Sequence, residues 1–396
     1  MSQDSVIHWE ENSHPHTALW HSENGIVPHK KVVPADDAMT ADDAYHLACE
    51  GTAILWKGDF QNARQLLQAL VRRIDKPSKK SKRAGKRVDK SVDTAVKKTA
   101  KDIFNRHRLI QSQRARILGM LLIQCNTDHT ISLRRAPDVT QACLEAYGSV
   151  SEPYVISLRE LLGVISAHEW RKNGLPILAD GDGEPIFVHP HYGVFSPVRG
   201  EYIELVCNAP LPKALDAESI AFDIGVGTGV LSIILAMRDV QNIVATDQDD
   251  RALACAKENI AFLKLGSQIE IVKANLFPKG KASLILCNPP WVPARPSSTL
   301  EHAVYDPDSQ MLKGFLAGLK DHLLPQGEGW LILSDLAEHL ELRTRQELLS
   351  WIEDAGLIVL GRIDTKPKHP KAFDDSDLLY FARAIEVTSL WRLKVI

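Results

Sequence analysis

The stretch AFDIGVGTGV, residues 221–230, decides the fold, because an apolar run leads here directly into a glycine-rich turn. A second apolar run, at 231–237, follows at once and is typical of a helix. Gly225, Gly227 and Gly229 lack the side chains that would keep a ligand away from the backbone, and the first turn of the helix presents free N–H groups. The stretch therefore predicts a strand, a ligand-binding turn and a helix in succession.

Two common nucleotide-binding loops do not match this turn. A dinucleotide loop requires a third glycine where Val230 stands, and here an acid, Asp223, opens the loop instead. A phosphate-binding P-loop requires Gly-Lys followed by Ser or Thr, which the stretch lacks. A tight turn without a ligand remains the alternative at this point.

From about residue 184 onward, short apolar runs alternate with amphipathic segments. This alternation predicts an α/β fold in which a parallel sheet is flanked by helices. The predicted strands lie at 221–224, 242–246, 269–273, 283–287, 330–333, 357–363 and 378–385, and the predicted helices lie near 229–238, 249–264, 307–323 and 340–355.

The first half of the chain has a different pattern. Residues 1–38 are polar and show no sustained period, so we expect a flexible N-terminal tail. Asp59 stands just before apolar residues spaced three and four apart, which predicts a helix with its N-cap in place. With further helical patterns downstream, this predicts a helix-rich domain over 39–183, followed by the α/β domain over 184–396.

Positive charge is concentrated in one segment. The 396 residues carry a net charge of −3, yet from Arg72 to Arg108 fifteen Lys and Arg stand against four Asp. The part at 76–101 is rich in Lys and Ser and poor in apolar residues, so it cannot bury enough surface to offset the cost of ordering its backbone. We interpret it as a basic insert of the helix-rich domain.

Composition restricts the class of protein. With 44% hydrophobic and 24% charged residues the chain can build compact cores, so disorder throughout is excluded. No apolar stretch is long enough for a membrane-spanning helix, and the first residues lack the order of a secretory signal, which predicts a cytoplasmic protein. The histidines within 1–38 have no second group of ligands at suitable spacing, so no metal site is predicted.

Polar residues also follow the next two predicted strands. The second strand ends at Asp247, 24 residues after Asp223, where an acid can accept hydrogen bonds from both hydroxyls of a ribose. Capping of the next helix by Asp247 or Asp249 is the alternative. The third strand leads to Asn275 and Leu276, whose amide and apolar side chain suit the edge and the ring of an adenine.

The fourth strand leads into Asn-Pro-Pro-Trp, residues 288–291, the most specific motif of the chain. Proline fixes its own backbone and donates no N–H, so the Asn288 side-chain carbonyl and the Pro289 backbone carbonyl can form a rigid pair of acceptors. Such a pair suits an NH2 group on a planar substrate that stacks on Trp291, and it frees the nitrogen lone pair to attack an electrophilic methyl. The alternative is a proline-rich strand end with a core tryptophan.

In this order along the chain, DIGVGTG, Asp247 and Asn-Pro-Pro-Trp resemble class I S-adenosylmethionine-dependent methyltransferases of the NPPY type, which modify adenine N6 or a glutamine side-chain nitrogen. Residues 292–333 are similar to the release-factor glutamine methyltransferase branch, and 189–206 resembles its substrate-side segment. The resemblance covers about 185–396. It implies a Rossmann-like, seven-stranded methyltransferase domain with S-adenosylmethionine as its cofactor.

The resemblance also implies a role for each motif residue. Asp223, Gly225, Gly227 and Gly229 would hold the methionine end of the cofactor, Asp247 its ribose, and Asn275 and Leu276 its adenine. Asn288, Pro289, Pro290 and Trp291 would be the catalytic residues that hold the target nitrogen, while Phe195, Pro197 and Arg199 would lie on the substrate side. The chain departs from the family in having Asn275 where Asp is common and Trp291 where Tyr or Phe is usual.

Three functions of different classes remain open. A basic insert neutralises phosphates, which slightly favours methylation of RNA adenine N6, with nucleic-acid contact through Lys79, Lys80, Lys82, Arg83, Lys86 and Arg87. The second is a protein glutamine N5-methyltransferase acting on a release factor or a ribosomal protein. The third is an S-adenosylmethionine-binding RNA module without catalysis. In each, we expect the helix-rich domain to recognise the macromolecular partner.

Overall fold

The computed structural model describes residues 6–76, 98–178, 185–197, 200–216, 218–296, 300–368 and 370–396. The chain divides into two compact units, one formed by residues 1–98 and 105–168 and the other by residues 99–104 and 169–396. The boundary thus falls near residue 168 rather than at the predicted 183. The predicted RNA contacts Lys79, Lys80, Lys82, Arg83, Lys86 and Arg87 lie outside the described residues, as does Arg199.

The first unit contains a six-stranded sheet in the order β1-β2-β6-β5-β4-β3. Its strands are β1 (Val6–Glu11), β2 (His14–Trp20), β3 (Val32–Ala35), β4 (Ala53–Trp56), β5 (Leu121–Cys125) and β6 (Tyr154–Ser157). The helices in this part of the chain are α1 (Ala41–Glu50), α2 (Phe60–Ile74), α3 (Ala100–Leu118), α4 (Thr140–Tyr147) and α5 (Leu158–Asn173).

This sheet corrects the prediction for the first half of the chain. Residues 1–38, expected to be a flexible tail, contain β1, β2 and β3, and the domain expected to be helix-rich contains strands beside its helices. In β1 the buried residues Ile7 and Trp9 alternate with exposed ones, which is the period of a half-buried strand and the signal that the sequence analysis missed. The predicted N-cap of α2 is confirmed, because the Asp59 side chain accepts a hydrogen bond from the Gln61 N–H.

The second unit contains a seven-stranded sheet in the order β11-β10-β9-β12-β13-β15-β14. A separate hairpin pairs β7 (Leu175–Leu178) with β8 (Ile186–Val188). The sheet strands are β9 (Ile220–Ile224), β10 (Asn242–Asp247), β11 (Ile269–Lys273), β12 (Ala282–Cys287), β13 (Leu323–Ser334), β14 (Leu357–Thr365) and β15 (Thr388–Val395). The helices are α6 (Glu201–Asn208), α7 (Val230–Met237), α8 (Asp250–Phe262), α9 (Gln310–His322), α10 (Leu336–His339), α11 (Arg345–Asp354) and α12 (Tyr380–Arg383).

The strand directions confirm the predicted Rossmann-like α/β fold class. Strands β9 to β13 pair in parallel, and β15 lies antiparallel between β13 and β14. The predicted last strand at 378–385 is wrong, because α12 occupies this stretch and β15 begins only at Thr388. Leu379 and Ala382 are the buried residues of that stretch, and their spacing of three is that of a helix.

Apolar side chains cover both faces of the seven-stranded sheet. Along β12, Leu284 and Leu286 belong to the cluster on one face, and Ile285 belongs to the cluster on the other. A parallel strand buried on both faces is apolar without interruption, which is the pattern that the sequence shows here. Among the described residues, no helix is both long and apolar enough to cross a membrane.

Candidate active site

A cavity of about 1210 Å³ lies at the carboxyl ends of β9, β10 and β12. Open parallel sheets bind ligands at this edge, because the loops that leave the strands gather there. The cavity wall includes the predicted site residues Gly225, Gly227, Asp247, Asn275, Leu276, Asn288, Pro289, Pro290 and Trp291, together with Phe195. The fold therefore brings together motifs that are separated by more than 60 residues along the chain.

The glycine loop presents its backbone to the cavity. Gly225, Gly227 and Gly229 have φ angles of +83°, +51° and +86°, which side-chain-bearing residues rarely adopt. A Cβ added at Gly225 would lie 2.9 Å from Cε of Met311, whereas one at Gly227 would meet nothing within 4 Å. The backbone at Gly227 thus borders open space that a side chain would fill, which fits a loop that cradles a ligand.

Asp223 lies behind the loop rather than in the cavity wall. Its side chain is 1% exposed, and its Oδ2 accepts a hydrogen bond from the Ser232 hydroxyl at 2.6 Å. Its Oδ1 has no hydrogen-bond partner among the residues that the structure describes. Burial raises the pKa of Asp223 to about 7. The geometry supports a structural role for Asp223 beneath the glycine loop. Direct contact between Asp223 and a cofactor stays a prediction.

Asp247 lines the cavity at the end of β10. Its Oδ2 accepts the N–H of Gly227 at 3.2 Å, and its Oδ1 accepts the N–H of Asp249 at 3.0 Å. Burial raises the pKa of Asp247 above the ordinary value for aspartate. The N-cap of α8 is Asp249, whose side chain accepts a hydrogen bond from the Arg251 N–H. Asp247 is therefore not the capping residue.

The adenine end of the cavity is predicted at Asn275 and Leu276, and both residues line the wall. Leu276 has a φ angle of +67°, and its carbonyl accepts a hydrogen bond from the Thr246 hydroxyl at 2.5 Å. A Cβ added at Gly314 of α9 would lie 2.7 Å from Cδ1 of Leu276, so Gly314 makes room for this side chain. The unusual backbone of Leu276 is thus held by β10 on one side and α9 on the other.

The Asn-Pro-Pro-Trp turn lies in the wall directly after β12. The indole Nε1 of Trp291 donates a hydrogen bond to Oδ1 of Asn288, with 2.8 Å between nitrogen and oxygen. Both Asn288 and Pro289 line the cavity, as an acceptor pair for an NH2 group requires.

The polar residues of the wall that sequence reasoning missed include Tyr305, Asp306, Arg383 and Glu386. Tyr305 forms a bridge with Val292, and the carboxylate of Asp306 accepts the backbone N–H groups of Met311 and Leu312 at 3.0 and 3.1 Å. Glu386 is buried and accepts the Ser334 hydroxyl at 2.6 Å, and Arg383 pairs with Asp377. The Asp-Pro pair before α9 is a helix-start signal that could have indicated Asp306. Arg383 belongs to the incorrectly predicted strand at 378–385, and Glu386 directly follows it.

Comparison with known proteins places this site in a recognised domain. Residues 186–344 match the family model of the methyltransferase small domain. A ribosomal protein L11 methyltransferase from Clostridium perfringens is 30% identical over 140 residues, which cover 31% of this chain and 44% of the relative. A tRNA1(Val) (adenine(37)-N6)-methyltransferase from Shewanella sp. is 29% identical over 155 residues, which cover 37% of this chain and 63% of the relative. The chain therefore spans less than two thirds of either relative.

A solved structure is also similar to this chain. The ribosomal protein L11 methylase from Lactobacillus delbrueckii subsp. bulgaricus aligns with a TM-score of 0.34 and 16% identity over 49% of this chain and 77% of that one. The family model, in contrast, includes the glycine loop, Asp247 and the Asn-Pro-Pro-Trp turn in one continuous match. The match over residues 186–344 thus agrees with the methyltransferase domain that the motifs predicted.

Proposed function

We propose that the chain is an S-adenosylmethionine-dependent N-methyltransferase that acts on a planar NH2 group of a macromolecule, with adenine N6 of RNA as the favoured target. The observation that carries the proposal is the shared cavity, in which the glycine loop and Asp247 lie together with Asn288, Pro289 and Trp291. At about 1210 Å³ the cavity exceeds the 300 to 1,000 Å³ typical of a site for one small ligand, so it has room for a cofactor and a target group.

The residues of the wall divide the chemistry between them. S-adenosylmethionine supplies the electrophilic methyl group when it is bound. Asp247 accepts the ribose hydroxyls through the carboxylate lone pairs that the N–H groups of Gly227 and Asp249 leave available. Oδ1 of Asn288 and the carbonyl oxygen of Pro289 accept the two hydrogens of the target NH2. This would draw the nitrogen lone pair out of conjugation and direct it toward the methyl. As the new bond from nitrogen to carbon forms, the bond from the methyl to its sulfur would break and the nitrogen would release one proton.

RNA is favoured as the substrate by charge and by similarity. Fifteen Lys and Arg within residues 72–108 would neutralise several phosphates, and the resulting release of counterions gives strong, salt-dependent binding. The tRNA adenine-N6 methyltransferase relative aligns over a larger share of its length than the ribosomal protein relative does. We also propose that the protein acts in the cytoplasm.

A second candidate is methylation of a protein, as in a glutamine N5-methyltransferase for a release factor or a ribosomal protein. It is favoured by the relatives named ribosomal protein L11 methyltransferase. A third candidate, an RNA-binding module without catalysis, has less support, because such a module has no need for the acceptor pair at Asn288 and Pro289.

Labelling followed by digestion distinguishes these candidates. The protein is incubated with S-adenosylmethionine that carries a radioactive methyl group and with an extract of cells, and the product is digested separately with nuclease and protease. We expect nuclease to remove the label, with N6-methyladenosine recovered from the RNA hydrolysate. Label that only protease removes would establish the protein substrate instead. If no label is incorporated while the cofactor binds, the proposal of an enzyme is wrong.

A further inference from the structure

Trp291 makes a contact that stacking on a substrate does not require. Its indole Nε1 donates a hydrogen bond to Oδ1 of Asn288 at 2.8 Å. A side-chain amide has one end that accepts and one end that donates, whereas an indole N–H can only donate. The bond therefore determines which end of the Asn288 amide faces Trp291.

The indole ring is itself held in place by its surroundings. Trp291 packs against the apolar clusters on both faces of the seven-stranded sheet and against a third cluster that contains Val292, Leu340 and Leu379. The next residue, Val292, is fixed through its backbone, since its N–H donates to the Val304 carbonyl at 3.1 Å and its carbonyl accepts the Asp306 N–H at 2.9 Å. Rotation of the ring would require repacking of close-packed side chains, so the fold sets the direction of the indole N–H.

We infer that Trp291 is a positioning residue, which acts through Asn288 by keeping its carbonyl in place as the acceptor for the target NH2. The oxygen has two lone pairs, so it can accept from the indole and from the target together. If the amide were reversed, its own NH2 would face the target NH2, and the acceptor pair with Pro289 would be lost. This catalytic consequence rests on the proposed function, whereas the hydrogen bond does not.

The residue type at 291 matters for this role. Phenylalanine has no hydrogen-bond donor, and tyrosine carries its hydroxyl at the end of the ring farthest from Cβ. Neither can therefore donate from the position that Nε1 of Trp291 occupies. Tryptophan offers an aromatic face and, in addition, a donor close to the backbone, which a stacking role alone would not need.

The hydrogen bond is tested first without any substrate, by NMR of protein that carries 15N in its tryptophan indoles. The Trp291→Phe variant identifies the Trp291 signal by its disappearance. We expect Asn288→Ala to move the indole proton of Trp291 upfield, because a donated hydrogen bond is lost, while the signal of Trp330, which bonds to Glu328, stays in place. An unchanged Trp291 signal in Asn288→Ala would overturn the inference, whatever the substrate is.

The catalytic consequence is tested by steady-state kinetics with the RNA or protein fraction that takes up label in the experiment above. We expect Trp291→Phe to lower kcat about tenfold, the effect of one net hydrogen bond, with little change in KM for the acceptor fraction or in the Kd of S-adenosylmethionine. The matched control is Trp170→Phe, at a tryptophan that is 40% exposed and not part of the cavity wall, which should leave both constants unchanged.

The two possible roles of Trp291 give different kinetics. A raised KM at unchanged kcat would assign Trp291 to stacking alone and overturn the positioning role. If the wild-type protein labels neither fraction, the proposed function fails, and the NMR experiment still decides whether Trp291 holds Asn288.

Discussion

The two ends of the cavity are held by different kinds of contact. At the donor end, which is the part of the cavity proposed to hold the methyl donor, the loop at 225–229 turns through three glycines with positive φ. Both oxygens of Asp247 accept backbone N–H groups there. At the target end, the group that would accept the substrate amine is a side chain, Asn288, and it is oriented by another side chain, Trp291. The donor end is thus mainly a backbone structure, and the target end is mainly a side-chain structure.

The two ends should therefore respond differently to substitution. A substitution outside the glycine loop leaves the backbone N–H groups of the loop in place, so we expect affinity for the cofactor to depend mainly on the loop itself and on Asp247. An acceptor supplied by one side chain is lost in a single substitution. We therefore expect the two ends to separate experimentally into cofactor binding and methyl transfer.

The largest effect is expected at the target end. Asn288→Ala removes the side-chain acceptor, and we expect methyl transfer to fall on the order of 10³-fold, comparable to the loss of a key donor in an oxyanion hole. The Kd of S-adenosylmethionine, measured by calorimetry, should stay within about twofold, because the donor-end contacts do not involve this residue. Turnover comparable to that of the wild type would refute the role of Asn288, and a large loss of cofactor affinity would show that the two ends are not separable.

The next effect is expected at the donor end. Asp247→Ala removes the predicted pair of charge-assisted hydrogen bonds to the ribose, and we expect the affinity for S-adenosylmethionine to fall by roughly 2 to 4 kcal/mol in calorimetry. Asp250→Ala is the matched control, because Asp250 is a nearby acid whose side chain is 80% exposed and pairs with Lys273. An Asp247→Ala protein that binds the cofactor as the Asp250→Ala protein does would exclude the ribose role.

A smaller effect is expected outside the cavity. Replacing Lys79, Lys80, Lys82, Arg83, Lys86 and Arg87 by Gln removes six of the fifteen cations of residues 72–108. If RNA is the substrate, its affinity should fall about tenfold near physiological salt, and the dependence of binding on salt concentration should become less steep. Cofactor binding should not change. A variant that methylates RNA with unaltered KM and salt dependence would remove the basic insert from the proposal.

The sequence predicted the second sheet well because its central strands are parallel and buried on both faces. Strands such as β12 read as uninterrupted apolar runs, and the motif residues follow directly at their ends, so chain order alone placed Asp247 and Asn288 at one edge. The stretch at 378–385 failed because a run of eight mostly apolar residues fits a strand and a short helix equally well. Only its packing, with Leu379 and Ala382 buried, decides for the helix.

The residues of the target end, around Asn288 and Trp291, were predicted only in part. Several of them are brought to the cavity wall by contacts between distant parts of the chain. Tyr305 and Asp306 reach the cavity wall through the bridge between Val292 and Tyr305, and Glu386 arrives from the loop before β15. No local pattern specifies such pairings. The bond between Trp291 and Asn288 spans only three residues, yet its donor direction depends on apolar clusters assembled from distant parts of the chain.

The smallest effect concerns Asp223, the acid beneath the donor end. Its burial raises the pKa to about 7, so the folded protein keeps this carboxyl protonated at pH values where the unfolded chain, with a pKa near 3.8, has already released the proton. The contribution of this group to stability is therefore complete below about pH 4 and declines as the pH rises to about 7. Above that range the folded protein carries a buried charge, and the loss of stability stays constant.

Asp223→Asn should remove this dependence, because the amide carries no charge and its oxygen can still accept the Ser232 hydroxyl. Measured without cofactor, the melting temperature of the variant should exceed that of the wild type by several degrees at pH 8, and the difference should shrink toward pH 4. Asp321→Asn, at an exposed acid of α9, is the control and should show no such trend. A difference that grows toward low pH would mean that the folded protein stabilises the charged form of Asp223. The carboxylate would then have a positive partner beneath the glycine loop.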